Sequence, residues 1–165
     1  ILLEIEGISI PLVDKNHNTF KIHYENEIDN VFMDKLKVFQ IMINLISNAA
    51  KFTNKGEIEL SLEKIEKKGA DWISLKVTDT GIGISKSQMK KIFSPFVQAH
   101  YSEHKEYGGT GLGLSIVKKI CDIMGGSITC KSKLNRGSTF TLELPTMVNR
   151  RGKTLFSRRK TDKLD

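Results

Sequence analysis

Apolar and polar positions change period several times along this chain, and each change marks an element. Ile1–Val13 opens on apolar residues with no cap, which reads as the middle or end of a helix and places the true domain start upstream. Thr19–Tyr24 alternates in strand fashion, and Asn30–Met33 predicts a short second strand. Asp34 stands where an N-cap is wanted for a long helix to about Phe52, which Thr53-Asn54-Lys55-Gly56 stops. Glu57–Ile65 and Trp72–Asp79 predict two strands, paired as an antiparallel hairpin across the polar turn Glu66–Asp71. The segment Gly81–Gly113 carries one short helix, Lys86–Phe93, and a polar, loop-like stretch at Gln98–Gly108. A connection of that length is usually functional or mobile.

Leu114, Val117, Cys121 and Met124 then recur at helical spacing before the stop Gly125-Gly126. Ser127–Lys131 and Ser138–Leu144 predict a closing hairpin, ended by Pro145. The order predicts an α+β architecture with helices on one face of a sheet.

Composition narrows the classes. At 165 residues, 39% hydrophobic and 27% charged, the chain suits one globular domain and excludes wholesale disorder. No run reaches the roughly 18 apolar residues of a membrane span, the start lacks a signal-peptide layout, and a cytoplasmic setting is expected. Cys121 and Cys130 are too few for a disulfide framework and too isolated for a zinc site. Of the net charge of +7, +5 falls between Thr146 and Asp165, so the body is close to neutral. Residues 1–145 are therefore read as the domain and 146–165 as a basic, flexible tail or linker; no nucleic-acid partner is expected.

Three constellations carry candidate chemistry. At about 100° per residue, Asn44, Asn48 and Lys51 share a narrow polar stripe of the long helix, opposite Phe39, Met42, Ile46, Ala49 and Ala50. Amide oxygens are hard ligands suited to magnesium, and an ammonium suits a phosphate; the competing reading is a plain solvent face. In Val77-Thr78-Asp79-Thr80-Gly81-Ile82-Gly83, period two carries Asp79 inward with Ile73, Leu75 and Val77. A buried carboxylate needs donors, such as an amino group on a flat heteroaromatic ring, and glycines let backbone come close; otherwise the acid caps the turn. Gly108-Gly109-Thr110-Gly111-Leu112-Gly113-Leu114 leads into a helix, the physics of a phosphate cradle. It is not a P-loop, since Leu114 follows Gly113, and Ile116 breaks the Rossmann spacing. A flexible glycine loop is the alternative. Ile92-Phe93-Ser94-Pro95-Phe96 reads as core packing or as the hinge of a lid.

In this order the motifs resemble the catalytic, ATP-binding domain of sensor or hybrid histidine kinases, in the superfamily that also holds gyrase, a heat-shock chaperone and mismatch-repair ATPases. Asn44–Phe52 resembles the N box, Asp79–Gly83 the first glycine box, Phe93–Phe96 the F box and Gly109–Leu114 the second glycine box. The resemblance implies a two-layer α/β sandwich, a mixed sheet covered on one face by three helices (the Bergerat-type ATP-binding fold). It also implies ATP and Mg2+ as cofactors. Asn48 would hold the magnesium and Asn44 would assist; Lys51 would reach the phosphates and Phe52 flank the adenine. Asp79 would accept from the exocyclic amine beside Gly81 and Gly83, while Phe96 and Lys105 would belong to the lid. Gly109, Thr110, Gly111, Leu112 and Gly113 would shape its phosphate end, and Thr139 would support the base through water.

Hydrolytic relatives carry a glutamate one turn before the magnesium asparagine, and this chain has Asn44 there. An amide has no useful basicity, so hydrolysis is disfavoured and phosphoryl transfer to another acceptor is implied. None of His17, His23, His100 and His104 is followed by an acidic residue, so the acceptor histidine is expected on a dimerisation domain upstream in the same protein. A response regulator or receiver domain would be the next partner, and the full-length protein would be a homodimer, membrane-anchored or not, with no membrane contact through this segment. Lys105, followed by Glu106 where many relatives have arginine, would meet a phosphate only as a point charge. The alternative is an ATP-operated conformational module or a protein-serine kinase of the same superfamily.

Overall fold

The computed structural model describes residues 1–24, 31, 33–67, 69–97 and 111–146. The elements follow as α1 (Leu2–Asp14), β1 (Thr19–Tyr24), α2 (Lys35–Phe52), β2 (Glu57–Lys67), β3 (Ala70–Asp79), α3 (Lys86–Met89), α4 (Gly113–Ile123), β4 (Ser127–Lys133) and β5 (Gly137–Pro145). The strands form one sheet in the order β1-β2-β3-β5-β4. β1 and β2 are parallel and the other pairs antiparallel, so the sheet is mixed. Helices α1, α2 and α4 cover one face, with α2 packed between the other two.

The core lies between these layers. Ile41, Met42, Leu45, Ile46, Ala49 and Ala50 of α2 are buried against Ile58, Leu60, Ile73, Leu75, Val77, Leu142 and Leu144 of the sheet. Asp34 caps α2 as the sequence predicts, its Oδ1 accepting from the Lys37 N–H at 3.1 Å. The Lys37 ammonium also binds that carboxylate and holds it below the ordinary carboxylate range.

Four boundaries differ from the sequence reading. Val31 and Met33 form no strand and pack as partly buried side chains on the core; Asn30 and Phe32 lie outside the described residues. The hairpin is longer than expected: Glu66 pairs with Asp71 and Lys67 with Ala70, and Gly69, at φ +72°, makes the turn. Cross-strand contacts explain why polar residues stay in the ladder. Lys64 meets Asp71 at 3.1 Å, and the Lys67 ammonium lies 5.0 Å from the Trp72 ring centroid. The third helix stops at Met89 instead of Phe93, because bonds from Lys91 to Gln88 and Ser94 to Lys91 tighten the chain into turns ahead of Pro95. The last hairpin runs two residues further along β4, to Lys133, and starts at Gly137 on β5.

Candidate functional site

The C-terminal half of α2 supplies the first wall. Asn44 donates its Nδ2 to the Gln40 carbonyl at 2.9 Å, which fixes the amide and turns Oδ1 away from its own helix. A Cβ on Gly113 would stand 3.1 Å from that Oδ1 and 4.0 Å from Asn48 Nδ2. The first residue of α4 therefore abuts the amide stripe. No side chain caps α4, so its first-turn N–H groups are presented without an internal substitute for an anion. Lys51 and Phe52 are half-buried, with the ammonium 5.1 Å from the Phe52 ring centroid. Burial pulls the Lys51 pKa below the ordinary lysine value, the mark of a cation held partly out of water.

Asp79 supplies the floor. It is 7% exposed, and its Oδ1 accepts the Gly81 N–H at 2.8 Å. Burial pushes its pKa up, while the backbone N–H groups of Gly81 and Ser138 and the Thr53 hydroxyl pull it back. Gly81 is a glycine for steric reasons: a Cβ there would lie 2.3 Å from the Phe52 carbonyl oxygen and 2.9 Å from Asp79 Oδ1. The Ile82 N–H donates to that same Phe52 carbonyl at 3.1 Å, so the end of α2 and the glycine loop form one unit. Thr53 Oγ1 is buried beside the acid without a hydrogen bond of good geometry.

Gly83, at φ +67°, faces elsewhere: a Cβ on it would meet the Lys133 carbonyl oxygen at 2.1 Å. It docks the glycine loop onto the turn between β4 and β5, where the Asn135 N–H also donates to the Ile82 carbonyl at 2.7 Å. Phe93 packs edge-on against Phe140, with ring centroids 6.5 Å apart, as a core aromatic. Phe96 is 78% exposed at φ +62°, and its N–H donates to the Gly111 carbonyl at 3.1 Å. The residues on either side of the loop-like segment are thereby tied together. His100, His104, Lys105, Gly108, Gly109 and Thr110 lie outside the described residues, as does the tail from Met147. Leu112 precedes α4, where its carbonyl accepts from the Ile116 N–H and the Ser115 hydroxyl, both at 2.9 Å.

Thr139 is a correction. It pairs with Thr78, and the two hydroxyls meet at 3.2 Å on the face of the sheet away from Asp79. The residue opposite Asp79 is Ser138, which is buried on the same face as Phe140, Leu142 and Leu144. Period two counted back from those three apolar residues reaches Ser138 rather than Thr139, so the signal was present in the sequence. Also missed were Gly137, whose Cβ would lie 1.8 Å from the Asp79 carbonyl oxygen, and Asn18. Asn18 is buried; its Nδ2 donates to the Thr53 carbonyl at 2.9 Å and its Oδ1 accepts the Gly56 N–H at 2.9 Å, bracing the end of α2. Among the described residues, no group of three His, Cys, Asp or Glu side chains forms a metal cluster. Cys130 shares Asp79's face by register, and burial with the negative charge of Asp79 pushes its thiol up to about 12, well away from reactivity at neutral pH.

Residues 33–147 match the family described as Histidine kinase-, DNA gyrase B-, and HSP90-like ATPase. The chain belongs to that family. Within it, the domain is of the histidine-kinase catalytic kind. It is 44% identical over 144 residues to the autoinducer 2 sensor kinase/phosphatase LuxQ of Vibrio vulnificus, covering 86% of this chain and 17% of LuxQ. It is 42% identical over 122 residues to the signal transduction histidine-protein kinase BarA of Escherichia coli, covering 73% of this chain and 13% of BarA. The chain thus spans 13–17% of the length of these relatives. Among solved structures, the catalytic domain of histidine kinase ThkA, in a nucleotide-free form, superposes with a TM-score of 0.71 at 31% identity, covering 86% of this chain and 89% of that one. Full-length ShkA in complex with AMPPNP gives a TM-score of 0.75 at 27% identity, covering 88% of this chain and 29% of that one. These likenesses establish the two-layer α+β ATP-binding fold.

Proposed function

We propose that residues 1–145 bind Mg-ATP and transfer its γ-phosphoryl group to a histidine on a separate dimerisation domain of the same protein, feeding a response regulator or receiver domain in two-component signalling. The observation that carries this reading is convergence. Three motifs far apart in sequence meet as Gly113 against the Asn44–Asn48 stripe and Gly81 against both Phe52 and Asp79. The ShkA complex with AMPPNP, an ATP analogue, and the kinase names of the relatives support it.

In this reading the roles divide by chemistry. Asp79, ionised, accepts from the exocyclic amine of adenine, and Gly81 holds that carboxylate from the side with its N–H. The outward Oδ1 of Asn44 and the amide of Asn48 are the hard donors that suit magnesium. Magnesium, when bound, would neutralise phosphate charge and align the γ-phosphoryl group. Lys51 adds a cation held partly out of water, and the first turn of α4 adds N–H groups. Among the described residues no carboxylate stands one turn before Asn48, since Asn44 occupies that place and its Nδ2 is spent on Gln40. An amide in place of a base disfavours hydrolysis, which supports a kinase that keeps the γ-phosphoryl group for another acceptor. Residues 146–165 are read as a tail that takes no part in this chemistry.

The test is transfer. The domain, incubated with γ-labelled ATP, Mg2+ and a histidine-bearing acceptor domain, should place acid-labile label on the acceptor while releasing little free phosphate. Rapid phosphate release with an unlabelled acceptor would overturn the kinase reading, and absence of ATP binding would overturn the nucleotide site.

A further inference from the structure

Ser132 lies outside every motif, yet its hydroxyl makes three contacts. It receives the Ile84 N–H at 2.8 Å, approaches the Gly137 carbonyl at 2.9 Å and lies 3.0 Å from the Ser138 hydroxyl. A serine hydroxyl has one proton and two lone pairs. The Ile84 N–H can only donate and the Gly137 carbonyl can only accept. All three contacts are hydrogen bonds in a single assignment: Ser132 gives its proton to Gly137 and takes those of Ile84 and Ser138. The Ser138 proton is therefore committed away from the site, and what Ser138 can offer to anything bound beside it is lone pairs.

Ser138 is the register partner of Asp79, and both are 7% exposed. Directly opposed residues of an antiparallel pair stand about 5 Å apart at Cβ. The floor thus places a carboxylate, held from one side by the backbone N–H groups of Gly81 and Ser138, beside a hydroxyl whose hydrogen is locked elsewhere, so the two side chains turn acceptors toward whatever is bound there. We infer that Ser132 is a positioning residue for base selectivity: by fixing Ser138 as an acceptor, it makes the floor receptive to an amino-substituted purine and hostile to a keto-substituted one. The inference rests on the ATP reading of the site and deepens it. A 6-amino group donates into this pair, directly or through one water, whereas a 6-keto oxygen opposes both members. Without Ser132 the Ser138 hydroxyl turns freely and can donate, which removes part of the discrimination.

The experiment measures ATP and inosine triphosphate affinities by calorimetry for the wild-type domain and for Ser132→Ala, Ser132→Thr and Ser132→Ala/Ser138→Ala. Ser132→Ala should lower the selectivity for ATP over inosine triphosphate by about three- to tenfold, the size of one net hydrogen bond. Ser132→Thr, which keeps the hydroxyl, should restore the wild-type ratio, and removing Ser138 as well should abolish the gain for the keto base. If the alanine variant fails to fold, Ser132→Cys, near in volume and a weak hydrogen-bonding group, carries the same expectation. A purely structural role would weaken both nucleotides equally, and an unchanged ratio overturns the inference while leaving the ATP site intact. Failure of the wild-type domain to bind ATP overturns the site itself.

Discussion

Replacing Asp79 by asparagine should weaken nucleotide binding and remove the pH dependence that this carboxyl gives to the fold, and the two effects carry opposite pH signs. In the native domain Oδ1 is held by the Gly81 N–H at 2.8 Å, and the Ser138 backbone also bonds the carboxylate. An asparagine keeps its oxygen on one of these donors and must then turn an N–H toward the base, so donor meets donor. Losing a hydrogen bond to a charged group costs about 1.5–3 kcal/mol, a loss of roughly 10- to 150-fold in affinity. The pH dependence follows from burial, which raises the pKa of Asp79 above its ordinary 3.8. The folded domain then holds the proton more tightly than the unfolded chain. The associated stability is fully present below the unfolded pKa and is lost as pH rises through the raised folded value. ATP affinity runs the other way, because only the ionised acid accepts: it falls as pH drops through the same window. Calorimetric titration of ATP and urea unfolding, both followed from pH 7 down toward 4, separate the two. Asp79→Asn should remove this residue's part of both profiles, leaving the loss of stability on acidification that Asp34 and Glu63, held below the ordinary carboxylate range, contribute. Wild-type affinity in Asp79→Asn, or ATP binding that strengthens on acidification, would refute the assignment of Asp79 as the acceptor of the base.

The remaining expectations are simpler. Asn48→Ala should remove the Mg2+-dependent part of ATP affinity and abolish phosphotransfer while adenosine binding persists; undiminished transfer takes Asn48 out of the metal site. Lys51→Met should lower ATP affinity by about tenfold and leave adenosine affinity unchanged, measured by competition binding. Gly137→Ala places a Cβ 1.8 Å from the Asp79 carbonyl oxygen at φ +88° and should cost about 2–5 kcal/mol in urea unfolding. Gly69→Ala, at φ +72° with nothing within 4 Å, should cost only the backbone strain of about 1 kcal/mol; equal costs would mean that the contact at Gly137 is not tight.

What the chain revealed by itself depended on how local the cause is. The α2 stripe and its cap were legible because 3.6-residue spacing and an Asp34 acceptor act within one helix. Asp79 was legible because alternation with Ile73, Leu75 and Val77 requires no knowledge of the neighbouring strand. The failures occur where a partner decides. Glu66 and Lys67 look like turn residues, but Asp71 and Trp72 across the hairpin give their end of β2 ion-pair and ring contacts. Thr139 looks like a hydroxyl for the site until the pairing with Thr78 puts it on the other face. Ser132 has no local signature at all, since its importance arises from Ile84 and Gly137, which only the docked turn brings within reach.

The end of α2 is where the two halves of the site are joined, and its carbonyls show how. The last carbonyls of a helix lack internal partners. Here the Ala50 carbonyl is taken by Asn16 Nδ2 at 2.9 Å, the Thr53 carbonyl by Asn18 Nδ2 at 2.9 Å and the Phe52 carbonyl by the Ile82 N–H at 3.1 Å. Two of these donors come from the segment before β1 and the third from the glycine loop after β3. The helix that carries Asn44, Asn48 and Lys51 therefore cannot move at its C-terminal end without disturbing Gly81 and, through it, Asp79. In the proposed reading the phosphate-facing and base-facing groups belong to different elements, α2 and the end of β3, yet the Phe52 carbonyl holds both in one frame. The bond from the Phe96 N–H to the Gly111 carbonyl adds a further tie, two residues before Gly113 meets the Asn44–Asn48 stripe.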